Sequence, residues 1–285
     1  MTLTSFLSRR DFVLGAAAVP RVISAKPSGL RIGVMDTCFR LAGKPEAVAA
    51  AAKLGFDGIQ LSIGRPGDDG VLPLARPDLQ ARFLAESKKH KVPLASTYID
   101  ILHVNCLKND ALARRWVIQG IDLTRKLRAG ILMLVFFGKC SLDNREDMDA
   151  VIGPLKELAP EAKKAGVVLG FENTISAQDN ARILEQVGSD ALEVYYDVGN
   201  ATNMGGFDAP KEIRFLGRKR FCQFHFKDKG YLGEGKVDFP ACVKAIQEIG
   251  FNGFAVLETG SPSGNIEDDL KRNLAFARKV LREMA

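Results

Sequence analysis

The chain has 285 residues, 46% hydrophobic and 26% charged, with a mean hydropathy of −0.02; it is an ordinary globular composition with enough apolar sequence for a large core. Its formal charge of +6 is unevenly placed: residues 1–28 hold Arg9, Arg10, Arg21 and Lys26 against Asp11, a net +3, leaving +3 (6 − 3) for the rest. There the basic residues are interspersed with acids at helical spacing, as on solvated faces, which argues against a nucleic-acid footprint.

In chain order, the first element is Ser8-Arg9-Arg10-Asp11-Phe12-Val13-Leu14, a paired arginine leading into a short apolar run, residues 12–19. The run is too short to span a bilayer, so no stable membrane association is expected. Small residues at Ala16, Ala17, Ala18, Ser24 and Ala25 offer cleavage sites. The segment resembles a bacterial twin-arginine signal, which implies export of the folded protein to the periplasm. Residues 1–28 are therefore set apart from a single expected domain at 29–285.

Short apolar runs follow, recurring roughly every 25–35 residues, at 30–36, 58–63, 93–98, 131–137, 167–172, 193–197, 221–226 and 254–258. Their nearly continuous Val, Ile, Leu and Phe content suits parallel strands covered on both faces. Amphipathic stretches of helical length lie between them, at 45–54, 77–90, 111–127, 148–164, 177–187, 211–216, 239–249 and 266–282. Asp179 and Asp238 read as start signals, and Gly55, Gly130, Gly166 and Gly250 follow helical stretches. The near copies Lys53-Leu54-Gly55-Phe56-Asp57-Gly58 and Glu248-Ile249-Gly250-Phe251-Asn252-Gly253 predict one helix-to-strand turn used twice. Eight strand–helix pairs in about 250 residues predict an α/β fold, a single (β/α)8 TIM barrel. A doubly wound open sheet lacks its Gly-x-Gly-x-x-Gly after the first strand.

The cysteines, Cys38, Cys106, Cys140, Cys222 and Cys242, are odd in number and widely spaced, without a CxxC pair. The sequence therefore predicts no disulfide framework, and buried thiols at Cys140, Cys222 and Cys242.

A barrel carries its chemistry at the carboxyl ends of its strands. The last four predicted strands each end on an ionisable residue: Glu172, Asp197, His225 and Glu258. Three unpaired carboxylates in a half-buried mouth repel one another and resist desolvation, and a divalent cation resolves both problems. Three carboxylate oxygens and one imidazole suit Mn²⁺ best, with Mg²⁺ or Co²⁺ as alternatives. Zinc is less favoured, since the set has no thiolate and one histidine.

The phrases Gly170-Phe171-Glu172-Asn173, Tyr196-Asp197-Val198-Gly199-Asn200, His225-Phe226-Lys227-Asp228, Leu232-Gly233-Glu234-Gly235-Lys236-Val237-Asp238-Phe239 and Val256-Leu257-Glu258 resemble the xylose isomerase-like TIM-barrel superfamily. The similarity covers about residues 30–285 and is strongest from 167 onward. Its nearest branches are the ketose 3-epimerases, hydroxypyruvate isomerases and inosose dehydratases. The resemblance implies that Glu172, Asp197, His225 and Glu258 ligate the metal and that Glu172 and Glu258 transfer protons. A small ketose or keto-sugar would be epimerised or isomerised through a cis-enediolate. The chain departs from the epimerase branch at Asn200, where a His three residues after the aspartate is usual; an amide binds a hydroxyl but does not titrate near neutral pH.

Other candidates lie near these strand ends. Lys227 can neutralise an enediolate oxygen or bind a hydroxyl, and Asp228 can orient His225 or a water. His103, just past the third strand, is a candidate substrate contact, whereas His90 reads as a surface residue and Glu234 as loop architecture. Phe39, Trp116, Phe136 and Phe137 are candidates for an apolar wall, though aromatics near a barrel more often belong to the core.

Two competing functions follow from the same residues. A lyase or hydratase acting on a 3-keto sugar or keto-inositol needs the same metal, base and acid. A non-catalytic exported sugar-binding barrel needs neither glutamate as a proton carrier. Nuclease chemistry is disfavoured by three histidines in all and by the mild charge of the body. The sequence leaves oligomerisation open.

Overall fold

The computed structural model describes residues 29–284, so the twin-arginine-like segment expected at 1–28 lies outside the described residues. Eight parallel strands close into a barrel in sequence order. They are β1 (Arg31–Met35), β2 (Gly58–Ser62), β3 (Leu94–Ile99), β4 (Ile131–Val135), β5 (Val168–Glu172), β6 (Leu192–Asp197), β7 (Phe221–Phe226) and β8 (Phe254–Leu257). Closure is direct: β1 pairs with β8 from Arg31–Phe254 to Val34–Leu257, which leaves no exposed sheet edge. β2 and β3 are buried along their whole length, as expected of strands with helices outside and side chains filling the lumen.

The outer layer is α1 (Glu46–Leu54), α2 (Pro77–His90), α3 (Ala111–Lys126), α4 (Arg145–Ala165), α5 (Ala177–Val187), α7 (Ala209–Leu216), α8 (Phe239–Glu248) and α9 (Ile266–Glu283), with the short α6 (Val198–Asn203) directly after β6. Each of the eight predicted strands and helices is present. The largest helical differences lie at starts, where side-chain caps set the boundary better than apolar periodicity does; ends differ by one or two residues, as at β4, which stops at Val135 rather than 137. Asn144 accepts from the amide of Asp147 and starts α4 at 145 rather than 148. Asp208 accepts from the amide of Lys211 and starts α7 at 209 rather than 211. Asp238 caps α8 as expected. In α5 the cap is Ser176, which accepts from the amide of Asp179, the residue expected to start the helix. The duplicated turn is also present: Gly55 (φ 86°) and Gly250 (φ 70°) are both left-handed, each closing a helix before a strand.

The cysteine expectation is corrected. Cys106 and Cys140 form a disulfide, with Cα atoms 4.9 Å apart. They lie 34 residues apart in the chain, but the loops after β3 and β4 are neighbours at one end of the barrel, a proximity that spacing does not reveal. Of the remaining thiols, Cys242 is buried, and Cys222 and Cys38 are half-buried. No helix of the described residues is long and apolar enough to cross a membrane.

Candidate metal centre and substrate pocket

The barrel brings the four ionisable strand ends together. One donor atom from each of Glu172, Asp197, His225 and Glu258 lies within 4.8 Å of the other three. Side-chain exposure is 3% for Glu172 and none for His225 and Asp197, whereas Glu258 is 30% exposed. Three of the four are thus withdrawn from water, and Glu258 faces the mouth. Register explains the convergence: Asp197 pairs with His225 across β6 and β7, and Glu258 follows the Phe226–Leu257 pair of β7 and β8.

His225 is the hub. Its Nδ1 lies 2.7 Å from Oε1 of Glu172 and 3.2 Å from Oε2 of Glu258, and the Tyr195 ring meets the imidazole edge-on at 4.5 Å. The other nitrogen, Nε2, is 2.8 Å from Oε1 of Gln60 on β2. Asp197 uses Oδ1 twice, accepting from the amides of Gly199 and Asn200 and so capping α6. Its buried Oδ2 has no hydrogen-bond partner among the described residues and lies 3.7 Å from Nζ of Lys227. Lys227 donates to Oε1 of Glu258 at 3.0 Å.

These contacts set the proton inventory. Burial lowers the proton affinity of His225, but Glu172 and Glu258 outweigh it and hold the imidazolium up, to about 10. Burial, reinforced by the charge of Glu258, raises Asp197 to about 8. Burial also works against ionisation of Glu258, yet the hydrogen bond and charge of His225 and the ammonium of Lys227 pull its carboxyl down to about 2. Lys227 is raised above its ordinary value, the carboxylates of Glu258 and Asp197 outweighing its burial. Near neutral pH, protons on Asp197 and His225 therefore balance carboxylate charge. A divalent cation carries the charge of two protons, and the buried Asp197 Oδ2 accepts no hydrogen bond from the described residues. The four residues fit such an ion.

Above the cluster opens a cavity of about 530 Å³. Its polar lining includes Ser62, Asp100, His103, Asn200 and Lys227, and its apolar wall is Met35, Met133, Val135, Phe137 and Met204. Asn200, Lys227 and His103, the sequence candidates for substrate contact, all reach it. His103 stacks on Phe137, with centroids 5.8 Å apart.

Asp228 does not join them. It accepts from the amides of Lys229, Gly233 and Gly235, and so folds its own loop instead of orienting His225. The nitrogens of His225 are taken by Glu172, Glu258 and Gln60. Of the aromatic candidates only Phe137 lines the cavity. Phe136 packs on Phe171, Phe39 on Phe56, and Trp116 donates to the carbonyl of Gly70. Glu234 pairs with Arg272 on α9 as loop architecture, and His90 pairs with Glu86 on α2.

Three buried polar residues near the site were assigned no role from the sequence: Gln60, Asp36 and Tyr98. Asp36, fully buried, accepts from the amides of Gly43 and Ser62 and from the Tyr98 hydroxyl, tying the loop after β1 to the end of β2 and to β3.

The family profile described as xylose isomerase-like TIM barrel matches residues 48–280. The chain belongs to this family. Among curated relatives of this xylose isomerase-like barrel, the L-ribulose 3-epimerase of Mesorhizobium japonicum is 26% identical over 238 residues, covering 80% of this chain and 70% of that protein. The 2-epi-5-epi-valiolone 7-phosphate 2-epimerase of Actinoplanes sp. is 25% identical over 177 residues, 61% of this chain, and the match spans 64% of that relative's own length. The D-allulose 3-epimerase structure from Methylomonas sp. superposes with a TM-score of 0.73 at 18% identity, covering 90% of this chain and all of that one (100%). The 3-keto-D-glucoside 4-epimerase structure from E. coli superposes with a TM-score of 0.71 at 16% identity, covering 88% of this chain and 99% of that one. At these identities the superpositions establish a shared fold.

Proposed function

We propose that the protein is a divalent-metal-dependent epimerase or isomerase of a small, unphosphorylated ketose or keto-sugar. The observation that carries this reading is the Glu172–Asp197–His225–Glu258 cluster at the floor of the cavity. The relationship to the M. japonicum L-ribulose 3-epimerase supports it. Those four residues would hold Mn²⁺, or Mg²⁺ or Co²⁺ in its place, which when bound would supply Lewis-acid polarisation of a substrate carbonyl and so acidify the neighbouring C–H.

The chain's own residues supply the rest. Glu172 on β5 and Glu258 after β8 approach from different strands, with the His225 ring bonded to both. One of the two, as a carboxylate, removes the proton beside the carbonyl, and the other, once protonated from solvent, returns a proton to the opposite face of the enediolate; the first then releases its proton to solvent, which resets the pair. Lys227 offers positive charge to the enediolate oxygens, and Asn200 and His103 offer hydrogen bonds to hydroxyls. The apolar wall packs the carbon skeleton and keeps water from the carbanion-like centre. Among the lining residues Lys227 alone carries a fixed positive charge, and Glu258 and Asp197 already engage it. Arg65, near the mouth, is paired with Asp100. Among the described residues no free cationic cluster lines the cavity for a phosphate, which favours an unphosphorylated substrate.

The test is solvent-deuterium incorporation into a panel of free ketoses and 3-keto sugars, using protein stripped with EDTA and restored with single metals. Exchange next to the carbonyl is expected only with metal, and to fall at least about 10²-fold in Glu172→Gln and Glu258→Gln. Product analysis separates epimerisation from loss of a leaving group, the mark of a lyase. Stoichiometric metal binding with no exchange on any substrate would support a binding protein instead.

A further inference from the structure

We infer that Gln60 is a positioning residue for the metal centre, fixing which nitrogen of His225 faces the cation. The inference rests on the reading of the four strand-end residues as metal ligands. Gln60 is wholly buried in the middle of β2, and its side chain reaches His225 on β7. Its Oε1 lies 2.8 Å from Nε2 of His225, and its Nε2 lies 3.5 Å from the sulfur of Met133.

These two contacts determine the orientation of the amide. A thioether sulfur is a weak acceptor and never a donor, so the NH₂ group belongs on the Met133 side and the oxygen on the histidine side. The reverse orientation would set oxygen against sulfur, two acceptors. An amide oxygen only accepts, so Nε2 of His225 carries a hydrogen. The other nitrogen, Nδ1, already points at Glu172 and Glu258, at 2.7 and 3.2 Å, and is therefore the one offered to the cation.

A ligating histidine whose second nitrogen donates to a fixed acceptor is held in both tautomer and ring angle, and loss of that acceptor typically weakens metal binding about 10–100-fold. No nearer strand supplies the acceptor: the His225 ring is otherwise contacted by Tyr195 edge-on and by the two glutamates. Without Gln60 the Nε2–H would be buried and unpaired, and the ring would gain a reason to turn.

The experiment measures Mn²⁺ affinity by chelator competition in the wild type, Gln60→Met and Gln60→Glu. Gln60→Met keeps the length and removes the acceptor; Gln60→Glu keeps an acceptor in place. Expected are a Kd about 10–100-fold weaker in Gln60→Met and wild-type or tighter binding in Gln60→Glu. In ¹⁵N-histidine spectra of the Zn²⁺-loaded wild type, with His225 assigned by its loss in His225→Asn, the metal should sit on Nδ1 and the hydrogen on Nε2. A folded Gln60→Met that binds Mn²⁺ as the wild type does would overturn the inference, as would a metal-bound Nε2. Should Gln60→Met not fold, Gln60→Glu and the wild-type spectrum still decide it. A wild type that binds no Mn²⁺ would instead remove the metal reading itself.

Discussion

At the scale of single residues, the centre is defined by how each carboxylate is engaged. Lys227 shows two opposed effects of one charge. Its ammonium stabilises Glu258 at 3.0 Å, and it stands beside the donors that would hold a cation. Lys227→Met is expected to tighten Mn²⁺ binding several-fold by removing a like charge. It should also lower turnover by about 10–100-fold by removing the partner of a developing oxyanion. Titration calorimetry and exchange kinetics on the same variant read the two effects, and weaker metal binding would contradict the assignment. Asp36 is a second case. Burial raises its carboxyl to about 6, against the pull of its hydrogen bonds from Gly43, Ser62 and Tyr98. A carboxyl raised in the folded state is fully compatible with folding below its unfolded value, near 3.8. It costs stability as pH rises through that value toward the folded one. Between pH 4 and 7, Asp36→Asn should therefore gain on the wild type by up to about 3 kcal/mol. Urea unfolding at both pH values checks this, and parallel pH profiles for the two proteins would count against it.

At the scale of elements, the site is a set of strand ends whose following loops are pinned. Asp197 ends β6 and starts α6 in the same residue, because Oδ1 caps the helix and leaves Oδ2 for the centre. Gly199 permits this: a Cβ there would stand 2.4 Å from the carbonyl oxygen of Lys227. On the opposite side of the mouth, the Cys106–Cys140 bridge ties the loop after β3 to the turn after β4. These loops carry His103 and Phe137, which stack to form part of the wall. Closing a 34-residue separation corresponds to about 3–4 kcal/mol in the chain-entropy account. The Cys106→Ala/Cys140→Ala pair is expected to lose about 2–4 kcal/mol in denaturant unfolding and to raise KM more than it lowers kcat. An unchanged midpoint would show that the loops are held by packing alone.

At the scale of the whole molecule, closure of the sheet makes one end of the barrel the natural place for chemistry. α9 is tied to that end by Asp269, which accepts from Tyr231, Ser261 and Ser263 and so holds the loops after β7 and β8. A disulfide at the mouth fits an oxidising compartment, in line with the proposed twin-arginine export. The bridge lies in loops, so a barrel folded with reduced thiols can form it after transport. Changing Arg9 and Arg10 together to lysine is expected to keep the protein out of the periplasmic fraction, and unchanged export would exclude this route.

The sequence by itself determined the elements and the four central residues. Strand runs and helical periodicity are local patterns, and Glu172, Asp197, His225 and Glu258 each stand out as an ionisable group at the end of an apolar run. Half-buried Phe137 and buried Phe136 were not separable, because adjacent residues of one run differ only in the face they take. The tertiary structure decided which groups meet across the barrel. Gln60 and His225 lie 165 residues apart, and Cys106 and Cys140 meet only because β3 and β4 are neighbours. It also decided that Asp228, beside Lys227 in the chain, turns to its own loop amides, since the glycines at 233 and 235 bring those N–H groups within its reach. Local pattern fixes an element and its ends; the partner of a buried polar atom is set by closure of the sheet, which joins residues that no sequence spacing relates.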